Sequence, residues 1–370
     1  MVYLCSWLIP PKDWEVFLLT TCGRFERRFG NIIENLERHA DLIDKEGNVL
    51  NISETQATLR KLLSQQQENL KQIEAEEKRD STRQYVDILS RLQVDERDQV
   101  AIFDTLSESL RFGGTCGWAL QHEDISSWLD PKGRVQSLWL HGSAGTGKSV
   151  LSAHLIAFMK STASSRAIYH FCSDQYVEST KYDQILRSII RQLLQVSDEA
   201  TAHAHSTLLK DRKVPSLSEL ERLVGELLVI ILDESPEAGT PWVVVDGVDE
   251  CEPDKLPQLV SVLTSRTKVG RRTGRSPPKN SPCKVLLTSR RAPTFERAFR
   301  GLSVVSLGDE NVKDKVQVAI RSYVSERLRL PPNPRRFKEL GIGMNELEEI
   351  KDDVVRKADG MWGFGSALCS

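Results

Sequence analysis

At 370 residues the chain exceeds the roughly 100 to 200 residues of a usual single domain and has length for two or three. Its 50 basic and 52 acidic residues nearly cancel, which excludes a global field for nucleic acid or an anionic membrane. Seven dispersed cysteines without a Cys-x-x-Cys pair argue against a disulfide framework and a zinc module, and fit a reducing, cytoplasmic setting.

The apolar start, Met1 to Pro10, is cut short by Pro11-Lys12-Asp13 and has no basic region ahead of it, so neither a signal peptide nor a membrane span is expected. Residues 1–111 carry helical periodicity with little turn punctuation and predict an all-α N-terminal domain. Arg24, Arg27 and Arg28 with Phe25 and Phe29 read as an amphipathic helix with a packed aromatic face rather than a nucleic-acid site. Ser53 and Gln56 have capping-box spacing, and Leu59, Leu62, Leu63, Leu70 and Ile73 continue along one face. Gln66 interrupts any heptad seam and the run Glu74 to Arg83 is nearly devoid of apolar residues, which favours a bundle helix over a coiled coil.

From Val135 short apolar runs alternate with amphipathic helices, the pattern of an α/β parallel sheet with flanking helices, over a domain assigned to residues 112–330. The predicted strands are Ser137 to Leu140, Ala167 to Phe171, Trp242 to Val245, Lys284 to Thr288 and Ser303 to Leu307. One helix is predicted to begin at Thr180 with Asp183 three residues on, and another at Ser216 with Glu219. Thr267 to Cys283 is basic, rich in Gly, Pro and Ser, and reads as a solvated surface loop. His203 and His205 lack acidic or cysteine companions and read as a helix end rather than a metal pair.

The chemistry concentrates in three segments. Gly142, Ser143, Ala144, Gly145, Thr146, Gly147, Lys148 and Ser149 complete the pattern Gly-x-x-x-x-Gly-Lys-Ser between a predicted strand and a predicted helix, and predict binding of ATP or GTP with magnesium. In such a loop the glycines let backbone N–H groups converge on phosphate, Lys148 neutralises the β and γ phosphates, and Ser149 offers its hydroxyl to magnesium. The strand ending in Asp246-Gly247-Val248-Asp249-Glu250 sets an acid where open α/β sheets bind ligands. Asp246 suits magnesium, while Asp249 or Glu250 would orient the attacking water, unless those two acids only solvate a loop or cap a helix at Pro253. Arg290, after the strand Lys284 to Thr288, has reach for a γ phosphate, and an arginine in that position also occurs as a plain surface residue.

The wording and spacing of Gly142 to Ser149, Val243 to Cys251 and Val285 to Arg290 resemble the NACHT class of STAND NTPases, the nucleotide switches of NOD-like immune and cell-death receptors, in its fungal branch. Gly114 to Trp118, Trp128-Leu129, Leu186 to Leu194 and Tyr323-Val324 add to the resemblance, which runs over about residues 112–362. It implies an ADP-held closed state, an ATP-driven open state that self-associates, and slow ATP hydrolysis. It also implies a protein partner for the N-terminal helices, a sensor role for Arg290, and a nucleotide base or sugar near Thr115 and Cys116. A helical extension is expected to begin in residues 331–370. There Gly360-Met361-Trp362-Gly363-Phe364-Gly365-Ser366 departs from the family's Gly-Met-Phe-Leu-Trp-Ala, and because such receptors usually continue into a repeat array the resemblance leads to the expectation of a truncated product. A nucleotide-binding module without significant hydrolysis and a helical scaffold are the alternative readings.

Overall fold

The computed structural model describes residues 34–35, 38–39, 52–94, 96–107, 116–161, 166–208, 214–234, 241–264, 283–329 and 343–358. The amphipathic stretch around Arg24, the side chains of the Ser53 cap, Thr115, the basic loop within 267–282 and the Gly360 to Ser366 segment lie outside the described residues. The chain divides into two compact units, Met1–Asp87 and Ile88–Ser370.

Before the first strand the described elements are all helical: α1 (Ile52–Leu92), α2 (Arg97–Ser107), α3 (Gly117–Leu120) and α4 (Glu123–Leu129). Next come β1 (Ser137–His141), α5 (Lys148–Ser161), β2 (Ala167–Phe171), α6 (Tyr182–Val196), α7 (Asp198–Leu208), α8 (Leu217–Glu234) and β3 (Trp242–Asp246). The chain continues through α9 (Leu256–Thr264), β4 (Lys284–Ser289), α10 (Pro293–Ala298), β5 (Ser303–Ser306), α11 (Glu310–Arg329) and α12 (Met344–Ala358). The five strands form one parallel sheet in the order β2-β3-β4-β1-β5. Every residue of β3 and β4 is buried, which explains why their interiors, residues 242–245 and 285–287, read as unbroken apolar runs rather than alternating ones.

Register sets the working end of the sheet. His141 pairs with Ser289, Val245 with Leu287 and Phe171 with Asp246, so the C-terminal ends of β1, β4, β3 and β2 finish side by side. Because β4 lies between β1 and β3, the segment leaving β4 at Arg290 emerges between the loop after β1 and the acid ending β3.

Local capping separates two predicted helix starts. Ser216 donates both its N–H and its hydroxyl to Glu219 Oε2 at 2.7 Å, and α8 begins at the next residue, as the spacing predicts. The helix expected from Thr180 begins instead at Tyr182. A short 3-10 turn, Val177–Thr180, occupies the Thr180 hydroxyl with Val177 O, and Asp183 pairs with Arg187 four residues on, so no side-chain cap forms.

The opposite end of the sheet holds a buried cation. Lys284, the first residue of β4, is 0% exposed, and its Nζ donates to Ser127 O (3.2 Å), Gly133 O (3.4 Å), Val135 O (3.2 Å) and Asp130 O. It ties the turn after α4 to the sheet.

Candidate nucleotide site

The loop Gly142 to Lys148 runs from β1 into α5. Gly145 and Gly147 adopt φ of 78° and 88°, which L side chains rarely tolerate, and this lets the loop curl over the N-terminus of α5. The loop is tied to itself by the Thr146 hydroxyl donating to Ser143 O (2.9 Å) and to β4 by Gly142 N–H donating to Ser289 O (3.3 Å). Lys148 Nζ donates to Gly142 O (3.0 Å) and Ser143 O (2.9 Å). Burial lowers the Lys148 ammonium below its usual 10.5, with Asp249 and Asp246 opposing the shift. Ser149 is the second residue of α5. Curled glycines, a lysine over the loop and a helix N-terminus fit a polyphosphate.

Asp246 ends β3 at 2% exposure. Its Oδ1 accepts from the Ser152 hydroxyl of α5 and the Thr288 hydroxyl of β4, each at 2.7 Å, which ties three elements through one carboxylate. Thr288 Oγ1 also accepts from Gly247 N–H (2.9 Å). Gly247 has φ of 72°, and a Cβ there would lie 2.7 Å from Cys172 O, so a side chain at this turn would strike the end of β2.

The turn then carries Val248–Glu250 as a single 3-10 turn, and its two acids take different partners. Asp249, its side chain 10% exposed, pairs through Oδ2 with Arg290 Nε at 2.9 Å, while the Arg290 side chain is 57% exposed. Glu250 accepts from Asp174 N–H through Oε2 (2.7 Å), and burial raises its carboxyl above the ordinary 4.5 against the lowering effect of that hydrogen bond. Lys148, Asp246, Asp249, Glu250 and Arg290 thus gather at one end of the sheet. The Lys148 ammonium responds to the charges of the other four.

Cys116 sits in an apolar cluster with Ala119, Ile125 and Trp128, at the head of α3. His203 Nε2 lies 2.9 Å from Glu226 Oε2. Among the described residues no group of three or more His, Cys, Asp or Glu could hold a metal by itself. Sequence reasoning missed His141, Ser152, Thr288 and Ser289. His141 ends β1, lies with its ring tilted against Trp139 (4.8 Å) and has its imidazole pKa lowered by burial and Arg291; Ser289 Oγ accepts from Trp139 Nε1 at 2.8 Å. The signal for Thr288 and Ser289 was present, since they are uncharged polar residues directly following the apolar run 285–287.

A glycine loop between a central parallel strand and a helix, faced by a carboxylate ending a second strand, defines a P-loop NTPase-like α/β fold. The family described as Nephrocystin 3, N-terminal matches residues 114–290, which contain β1 to β4, the loop, the acids and Arg290. The solved structure of Cdc6p from Pyrobaculum aerophilum is similar to this chain at 15% identity, with a TM-score of 0.33. The likeness covers 63% of this chain and 50% of that one, so the chain spans half of that protein's length. Comparison with curated proteins finds no match. Among the described residues no helix is long and apolar enough to cross a membrane.

Proposed function

We propose that the chain is a nucleotide-dependent switch of the NACHT type, in which residues 112–330 bind ATP or ADP with magnesium and hydrolyse ATP slowly. The observation that carries the reading is the register of β1, β4 and β3, with Lys148 at one side of the site and Asp246, Asp249 and Glu250 at the other. Lys148 would exchange its loop carbonyls for phosphate oxygens. Ser149 and Asp246 would hold magnesium, which supplies charge neutralisation at the phosphates.

The separate partners of the two acids support separate roles. Asp249 would hold Arg290 in reach of the γ phosphate. Glu250, raised by burial, suits the water: it would accept a proton as the water oxygen bonds to γ phosphorus and the bond to the bridging oxygen breaks. In this reading ATP and ADP differ through the γ phosphate at Arg290 and Lys148, the differential contact any population shift needs. Self-association in the ATP state and a protein partner for the N-terminal helices belong to the same proposal.

The test is calorimetry with ATP and ADP on the parent and Lys148→Ala, beside single-turnover hydrolysis in Glu250→Gln. Lys148→Ala should abolish measurable affinity; unchanged affinity would remove the phosphate-loop assignment. Glu250→Gln should keep binding and lose about 100-fold in hydrolysis rate.

A further inference from the structure

Among the described residues β2 is an edge strand, and its outward N–H and C=O groups need partners that no sixth strand supplies. At Tyr169 and Phe171 two glutamine side chains supply them. Gln192 of α6 accepts from Tyr169 N–H (3.0 Å) and donates to Tyr169 O (2.6 Å). Gln99 of α2, only 6% exposed, accepts from Phe171 N–H (2.7 Å) and donates to Phe171 O (2.9 Å). In a parallel strand one residue turns both groups to the same side, so a primary amide matches it as a neighbouring strand would.

The two clamps make the same pair of bonds to the strand and are differently placed, and Gln192 Nε2 also donates weakly to Ser188 O (3.3 Å) and Ser188 Oγ (3.4 Å). Phe171 is the last residue of β2, in register with Asp246. Beyond it Cys172 N–H donates to Asp246 O (2.9 Å), Ser173 N–H to the buried Ser179 hydroxyl (2.9 Å), and Asp174 N–H to Glu250 Oε2 (2.7 Å). The Gln99 anchor and the N–H that holds Glu250 are thus three residues apart on one hydrogen-bonded segment.

Gln99 is itself fixed by the elbow joining α1 to α2. Gln93 turns the chain at φ 50°, Arg187 Nη1 donates to Leu92 O (2.6 Å) at the end of α1, and Glu96 pairs with Arg191. Phe103, one turn beyond Gln99, packs its ring on Tyr169 (5.2 Å) and Phe171 (6.4 Å). The elbow and the acid loop therefore share the end of β2.

We infer that Gln99 is a positioning residue for Glu250, and that the α1–α2 elbow is coupled through it to hydrolysis. The inference rests on the proposed role of Glu250. The experiment compares Gln99→Ala with Gln192→Ala in the full chain, measuring kcat and KM for ATP, affinity for ADP, thermal stability and amide exchange across 171–174. Gln99→Ala should lower kcat about 10-fold with ADP affinity kept. It should also speed exchange at the Asp174 amide by about 10-fold. Gln192→Ala removes as many bonds from the same edge and should lose comparable stability with kcat and Asp174 exchange intact. Gln99→Glu, which keeps the acceptor for Phe171 N–H and sets a carboxylate against Phe171 O, serves the comparison if the alanine chain does not accumulate folded.

Equal loss of kcat in the Gln99 and Gln192 variants, or unchanged Asp174 exchange in the Gln99 variant, would overturn the inference. A parent that binds nucleotide and turns over none would instead remove the catalytic role of Glu250. Exchange at Asp174 would still decide whether Gln99 positions it.

Discussion

Lys148 and Lys284 stand at opposite ends of the sheet and do superficially the same thing, since each donates its ammonium to backbone carbonyls and each has its pKa lowered by burial. The difference lies in enclosure. An ammonium has three N–H groups; Lys284 spreads them over four carbonyls inside a closed turn, and Asp130 is the one charge that opposes its lowering, to about 8. Lys148 has two carbonyl partners, both in the loop it serves, and lies in the field of three acids and Arg290. A lysine whose donors are saturated by main chain is a staple. One with spare donor capacity beside opposed charges is equipped to change partners.

Removing each amine tests the distinction most severely. Lys284→Met leaves four carbonyls of the 127–135 turn facing an apolar side chain and should cost about 1 to 3 kcal/mol in urea unfolding. Lys148→Met should cost within about 1 kcal/mol in the same assay. Similar losses in both would erase the contrast.

Alkaline titration sharpens it. Because burial lowers Lys284 from 10.5 to about 8, the native state sheds this proton first and the unfolded chain binds more protons between those values. Stability of the parent relative to Lys284→Met should therefore rise with pH from about 8 to 10.5, by no more than about 1.4 kcal/mol per pH unit. A flat difference across that window would mean that the native amine keeps its proton.

The smallest stability effect belongs to the exit of the same strand. Arg290 is largely exposed, so Arg290→Ala should change unfolding by less than about 1 kcal/mol. The same variant should keep ADP affinity and lose any ATP-dependent increase in assembly size by light scattering. Equal mass with ATP, ADP and no nucleotide in the parent would leave a binding protein without a switch.

The strands were legible because β3 and β4 are buried on both faces and read as short apolar runs, and the glycine loop because few other structures need that spacing. The Ser216–Glu219 cap was legible for a similar local reason, as donor and acceptor lie three residues apart. The features that stayed hidden are non-local. Glutamine on a helix reads as solvent-facing, so nothing around Gln99 announces an edge strand 72 residues away. Lys284 reads as a strand's polar first residue, although its partners lie at least 149 positions earlier. In the sequence Asp249 and Glu250 are interchangeable candidates, because their separation depends on Arg290 and Asp174, which only the assembled sheet brings near.

The sealed margin of β2 also bears on how copies of this chain could join. A strand with unmet amide groups invites an identical strand to continue the sheet, the route by which edge strands template fibrils. Along Tyr169 and Phe171 that route is closed by side-chain amides that already mimic the incoming strand. Were copies to associate on this flank, they would meet there through side-chain surfaces, the kind of contact that can close into a ring rather than extend as a ribbon.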